Sequence, residues 1–99
     1  MFGVVRETTV DPVKWAKGHA QREEFYAMRA QQPGYQGSIG VGADNDRVVT
    51  VTLWDSEEQW EAVRPTLNAA AERLLAPLWA SPSQILSSGP VVQDEVTKA

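Results

Sequence analysis

Alternating and helically spaced apolar positions divide the chain into six stretches. "MFGVVRETTV" alternates weakly, is rich in Val and Thr, and predicts a strand over residues 2–10. "VDPVKW" then opens a helix. Asp11 suits the N-cap and Pro12 the first helical position, where a missing N–H costs nothing. Trp15, Gly18, Phe25 and Met28 form the apolar stripe of this helix, His19, Arg22 and Tyr26 border it, and "QQPG" stops it near Ala30. "GSIGVG" predicts a second strand, with Ile39 and Val41 on one face and Ser38, Gly40 and Gly42 on the other. "ADND" reads as a hairpin loop, because Asn and Asp tolerate turn backbones. "RVVTVTLW" is the clearest strand, with Val49, Val51 and Leu53 on one face and Val48, Thr50, Thr52 and Trp54 on the other.

Ser56 and Gln59 in "SEEQ" read as a capping box at the next helix start. That helix is expected to bury Trp60 and Val63 and to be interrupted at Pro65. A second segment then carries Leu67, Ala70, Ala71, Leu74 and Leu75 on one face until Pro77 ends or kinks it. "SQILSSGPVVQDEV" predicts a last strand, broken near Gly89 and Pro90.

The order β-α-β-β-α-β predicts an α+β, ferredoxin-like domain spanning residues 1–99, an antiparallel sheet with helices on one face. The other face is expected to carry Val48, Thr50, Thr52 and Trp54 beside a glycine-bearing strand. Glycines let another surface approach closely, so the simplest cover is a second copy of the chain and the expected state is a homodimer through this sheet face.

Composition narrows the function. A net charge of −4 with a pI near 4.8 weighs against nucleic acid, whose phosphates need a basic patch. No apolar run approaches the ~18 residues of a membrane span. The N-terminus lacks the charged and apolar regions of a signal peptide, so the cytoplasm is the expected location. Cysteine is absent, which excludes disulfides, thiolate catalysis and Cys-based zinc sites. One His cannot build a zinc or non-haem iron site with its usual partners, so no metal is expected. Asp44–Asp46 lacks the Gly and distal Glu of a calcium loop, and "GSIGVG" lacks dinucleotide spacing, so no cofactor is expected either.

The run "QQPGYQGS" after a long first helix, followed by "VVTVTLWDSEEQWEAV", resembles the antibiotic-biosynthesis-monooxygenase-like domain of the dimeric α+β barrel superfamily. The resemblance covers nearly the whole chain. It implies a homodimer whose two sheets face each other, with a pocket between helices and sheet in each subunit. Some members of the family oxidise polycyclic phenols to quinones with O₂ and neither metal nor flavin; others degrade haem. The haem-degrading pattern has an Asn on strand one, a Trp late in the second helix and a His beyond it. Here Arg6 and Glu7 stand on strand one, Val63 falls at the Trp position and no His follows, so haem degradation is set aside. The phenol-oxidising members surround their substrate with Trp, Asn, Tyr and Arg, types that Trp60, Asn68, Tyr26 and Arg22 supply.

The expected pocket is bounded by Trp15, His19, Arg22 and Tyr26 on the first helix and by Trp60, Asn68 and Trp79 from the second helical region. Arg22 would stabilise a phenolate, while Tyr26, Asn68 or His19 would move the proton. Trp15, Trp60 and Trp79 would be ligand walls. Each also has a plainer role: His19 and Asn68 as exposed helix residues, Arg22 and Tyr26 as a surface stack, Trp60 and Trp79 as core. The expectation is therefore a cofactor-independent monooxygenase acting on an aromatic or polyketide-type phenol, with a non-catalytic dimeric binding or accessory domain as the alternative. An open pocket of ~300 Å³ or more with convergent polar groups favours the first. A pocket plugged by Trp60, Trp79 and Leu74 favours the second.

Overall fold

The computed structural model describes residues 1–95; Val96, the last residue of the expected fourth strand, and the three residues after it lie outside the described residues. Strand β1 (Phe2–Val10) leads through α1 (Pro12–Lys17) and α2 (His19–Ala30) to the hairpin β2 (Tyr35–Ala43) and β3 (Arg47–Trp54). Helix α3 (Glu57–Leu74), a single 3₁₀ turn (Ala76–Leu78) and β4 (Trp79–Pro90) follow. The sheet order is β2-β3-β1-β4 and every neighbouring pair is antiparallel. This is the α+β, ferredoxin-like arrangement.

Local chemistry sets the element ends. Asp11 Oδ1 accepts from the backbone N–H groups of Val13 and Lys14, both at 3.0 Å, so it caps α1. Ser56 Oγ accepts from Gln59 N at 3.1 Å and caps α3. Asn45 and Asp46 have φ of 61° and 59°, the left-handed values that a tight hairpin turn needs and that Asn and Asp tolerate.

Three boundaries differ from expectation. The first helix is not continuous to Ala30 but breaks at Gly18. A Cβ there would stand 2.6 and 2.7 Å from the Leu78 methyls, so only glycine lets the 3₁₀ turn pack this closely. Pro65 does not interrupt α3, which runs unbroken through it. Pro65 is exposed, so the carbonyl that loses its helical donor faces water. The last strand begins at Trp79, earlier than expected, and ends at Pro90.

The largest correction concerns the faces of the sheet. Phe2, Val4 and Val10 of β1 are buried beneath the helices. Register pairs Phe2 with Trp54, Val4 with Thr52 and Arg6 with Thr50, so these residues share one side. Trp54 is 0% exposed, meets the Tyr35 ring edge-on at 5.5 Å and donates from Nε1 to Thr52 Oγ at 3.1 Å. Val48, Thr50, Thr52 and Trp54 therefore face the helices, and the expected homodimer contact through that row is overturned. The physical reason is that both rows of β3 are apolar or β-branched, and alternation alone does not say which row lies inward. The open side carries Val5, Val49, Val51 and Leu53, joined by Ile39 (42% exposed) and Val41 (54%). The main core lies on the other side, where Phe2, Val4 and Trp54 meet Phe25 of α2 and Trp60, Val63, Leu67, Ala70 and Leu74 of α3.

Candidate functional site

Between the helix-facing side of the sheet and the helices lies a solvent-connected cavity of about 780 Å³. Its lining residues extend along β1. At one end Phe2 pairs with Trp54 and packs on Trp60, ring centroids 5.7 Å apart. At the other end Val10 pairs with Trp79, and Asp11 N donates to Leu78 O at 3.0 Å, which brings α1 and Trp15 alongside. Tyr35, Trp54 and Trp60 thus line one end of the cavity, Trp15 and Trp79 the other, and Tyr26 lines the α2 wall.

The sheet supplies a flat floor of Thr8, Ser38, Gly40, Val48 and Thr50. A side chain at Gly40 would meet nothing within 4 Å, so the floor is open at that point. Helix α3 supplies a ridge at four-residue spacing: Trp60, Arg64, Asn68 and Glu72 all reach the cavity. Arg64 lies 4.6 Å above the Trp60 ring and 3.4 Å from Glu61.

Five of the seven residues expected at the pocket line it: Trp15, Tyr26, Trp60, Asn68 and Trp79. Arg22 and His19 do not. His19 is exposed at the start of α2. Arg22 stacks its guanidinium over Trp15 at 4.9 Å, so it supports that wall from behind. The helix break at Gly18 separates α2 from α1, and α2 turns Phe25, Tyr26 and Arg29 to the cavity in place of its first turn. Trp60 and Trp79 do not plug the space, and Leu74 belongs to the core.

Three arginines in the wall, Arg6, Arg29 and Arg64, were not anticipated. Arg6 projects from the middle of β1 toward the helices. Its sequence neighbour Glu7 lies on the open side and pairs with Arg47 at 2.9 Å, so Glu7 does not neutralise it. Among the described residues no carboxylate lies within ion-pair distance of Arg6. Burial, and then the positive charge of Arg64, lowers the Arg6 pKa from its ordinary value; the guanidinium stays protonated. Arg29 stacks on Phe25, Tyr26 and Tyr35 at 5.3–5.8 Å, and its buried Nε has no hydrogen-bond partner among the described residues. Among the described residues the wall sets one carboxylate, the exposed Glu72, and no histidine against three guanidinium groups. A chain of net charge −4 thus holds a cationic cavity. A signal existed in the sequence: Arg64 falls four residues after Trp60, and Arg6 shares the parity of Phe2 and Val4.

The chain has the fold of the antibiotic-biosynthesis-monooxygenase domains. A structure of SnoaB, a cofactor-independent oxygenase from Streptomyces nogalater, superposes with a TM-score of 0.73 at 17% identity, covering 95% of both chains. A Caulobacter crescentus protein provisionally assigned as an antibiotic biosynthesis monooxygenase superposes at 0.74 with 20% identity, over 93% of this chain and 90% of that one. NE2512 from Nitrosomonas europaea, of unknown function, gives 0.74 at 12% identity, over 96% and 92%. No family model and no curated protein matches the sequence. Among the described residues no helix is long and apolar enough to cross a membrane.

Proposed function

We propose that this protein is a cofactor-independent monooxygenase that oxidises a planar phenol to a quinone in the helix–sheet cavity. The observation that carries the reading is the cavity itself: about 780 Å³, walled by aromatic rings, with Tyr26, Asn68 and arginines converging on it. The likeness to SnoaB supports it at the level of fold.

The flat floor and the tryptophan walls orient the ring, which removes much of the entropic barrier to reaction. The cationic wall favours the phenolate over the phenol. Tyr26 and Asn68 supply hydrogen bonds to ring oxygens, and Glu72 is the carboxylate in the wall able to take the phenolic proton. The phenolate passes an electron to O₂, and the two radicals join at the ring carbon para to the oxygen. Loss of water from the resulting hydroperoxide gives the quinone, so one phenol and one O₂ give one quinone and one water. With 1,8-dihydroxyanthrone as probe, chelator-treated protein should consume one O₂ per anthraquinone formed, and Asn68→Ala should slow the reaction about 10-fold or more, the loss of one or two hydrogen bonds to a developing charge. Protein that accelerates O₂ uptake no more than an equal concentration of albumin would refute the enzyme reading.

The working unit we propose is a homodimer through the open side of the sheet, where Ile39, Val41, Val49 and Val51 leave an apolar row uncovered. An obligate contact of this kind buries ~2,000 Å² or more. One observation favours the alternative, a dimeric domain that binds aromatic molecules without converting them: among the described residues the wall holds a single carboxylate, the exposed Glu72. Tight binding of the anthrone with no O₂ uptake would select it.

A further inference from the structure

We infer that the ligand of the cavity carries a carboxylate in addition to its phenol, and that this carboxylate is seated between Arg6 and Arg64. The inference rests on the cavity being the site of a planar phenol, and it deepens that reading by naming the second functional group.

The two arginines come from two elements, β1 and α3, that pack together through Phe2 and Trp60. Arg6 is on the helix-facing row of β1, four residues beyond Phe2. Arg64 is on α3, four residues beyond Trp60, and Phe2 and Trp60 are packed together. Both side chains line the same cavity. Two like charges face one space, and the chain offers Arg6 no carboxylate among the described residues. Arg64 has Glu61 at 3.4 Å, on the solvent side of the helix, where the pair is well exposed. A half-buried guanidinium without a counter-charge, as at Arg6, is costly to hold, and a bound anion relieves both its lost hydration and its repulsion from Arg64.

The choice of anion follows from ionisation and shape. A phenol, with a pKa of roughly 10, arrives neutral at pH 7 and forms its anion only transiently. A carboxylic acid, with a pKa of roughly 4, arrives ionised. Its two oxygens lie in one plane and accept from two guanidinium forks at once, which a single phenolate oxygen does not. The ring attached to it then rests on Gly40 and Thr50, since Thr50 is the strand neighbour of both Arg6 and Gly40.

The test uses three probes of one shape: 4,5-dihydroxyanthraquinone-2-carboxylate, its carboxamide, and 1,8-dihydroxyanthraquinone. Affinities are read by titration calorimetry at pH 7 and constant ionic strength. The carboxylate should bind the wild-type protein about 10- to 100-fold more tightly than the carboxamide, the range expected for a charge-assisted contact. Arg6→Gln should reduce that ratio to within about threefold of one, while the affinity for dihydroxyanthraquinone changes by less than about threefold. Arg64→Gln, at a more exposed position, should reduce the ratio as well, and it decides the matter if the Arg6 variant does not fold. Equal affinity for acid and amide, a preference retained in both variants, or no binding of any probe would overturn the inference. The oxidation reading is judged separately by O₂ uptake with 1,8-dihydroxyanthrone. Discrimination without uptake keeps the carboxylate site and removes the enzyme, whereas uptake without discrimination does the reverse.

Discussion

Replacing Gly18 by Ala tests whether the helix break at that residue is a packing requirement. The backbone of Gly18, at φ −91° and ψ 24°, is open to alanine, so any cost comes from the added methyl group. That methyl would lie 2.6 and 2.7 Å from Leu78 Cδ1 and Cδ2 and 3.0 Å from Lys14 O. Leu78 cannot swing aside cheaply. It is 5% exposed, its N–H donates to Leu75 O at 2.8 Å, and its carbonyl accepts from Asp11 N at 3.0 Å. Overpacking of this sort costs ~1–3 kcal/mol. The loss of glycine from the unfolded chain returns ~0.4–1 kcal/mol. A net loss of about 1–2 kcal/mol remains, or a fall in Tm of about 4–16 °C for a domain of this size. Leu78→Ala alone should cost ~2–5 kcal/mol. In the double variant the new methyl occupies part of the vacated space, so the two losses should fall short of their sum by ~1 kcal/mol or more. Urea unfolding at one fixed protomer concentration measures all four proteins. A stable Gly18→Ala variant, or losses that add to within ~0.3 kcal/mol, would show that Gly18 is not fitted to Leu78 and that the α1–α2 break has another origin.

Two further outcomes follow from the geometry. Thr52→Val keeps the side-chain shape but leaves the buried Trp54 N–H without its acceptor, which should cost ~1–3 kcal/mol in urea unfolding; an unchanged midpoint would mean that the indole finds another partner. Val51→Lys on the open side of the sheet should give a folded monomer by sedimentation and circular dichroism, whereas Trp54→Glu should lose the fold outright, because it places a charge at a fully buried position; dimers retained by Val51→Lys would remove the proposed interface.

What could be read from the sequence was local. The ends of β1 and β3 follow from Val- and Thr-rich alternation, and the helix starts follow from Asp11 and Ser56, each of which makes the capping bonds its position suggests. Prolines were read less well. Pro77 does fall where α3 has ended, but Pro65 sits inside it, because exposure of its turn to water decides the cost and the sequence does not display exposure. The break at Gly18 was equally hidden. Its cause, Leu78, is sixty residues away along the chain. Of the site, the aromatic walls were legible because tryptophans at helical spacing are conspicuous. The arginines were not, since an arginine in a strand is ordinarily taken for a solvent-facing residue.

That misreading and the reversal of the sheet faces have one origin. In β3 the row Val49, Val51 and Leu53 is more apolar than the row Val48, Thr50, Thr52 and Trp54, so hydropathy favours turning the first toward the helices. The structure does the opposite, and the arrangement has a physical logic. The helices do not close down on the whole sheet: they bury Phe2, Val4 and Trp54 at one end and Val10 at the other, and stand away from it in between. A row that floors a solvent-connected cavity can carry threonines, and it can carry Arg6. The more apolar row, left open in the single chain, is the one that needs a separate cover. β1 held the deciding information, because Phe2, Val4, Arg6 and Thr8 share one parity and Phe2 pairs with Trp54. Once that pair is placed, the inward positions of Trp54 and Arg6 and the uncovered outer row all follow. Strand register across β1 and β3 is thus the fact that connects the core, the cavity charge and the proposed dimer.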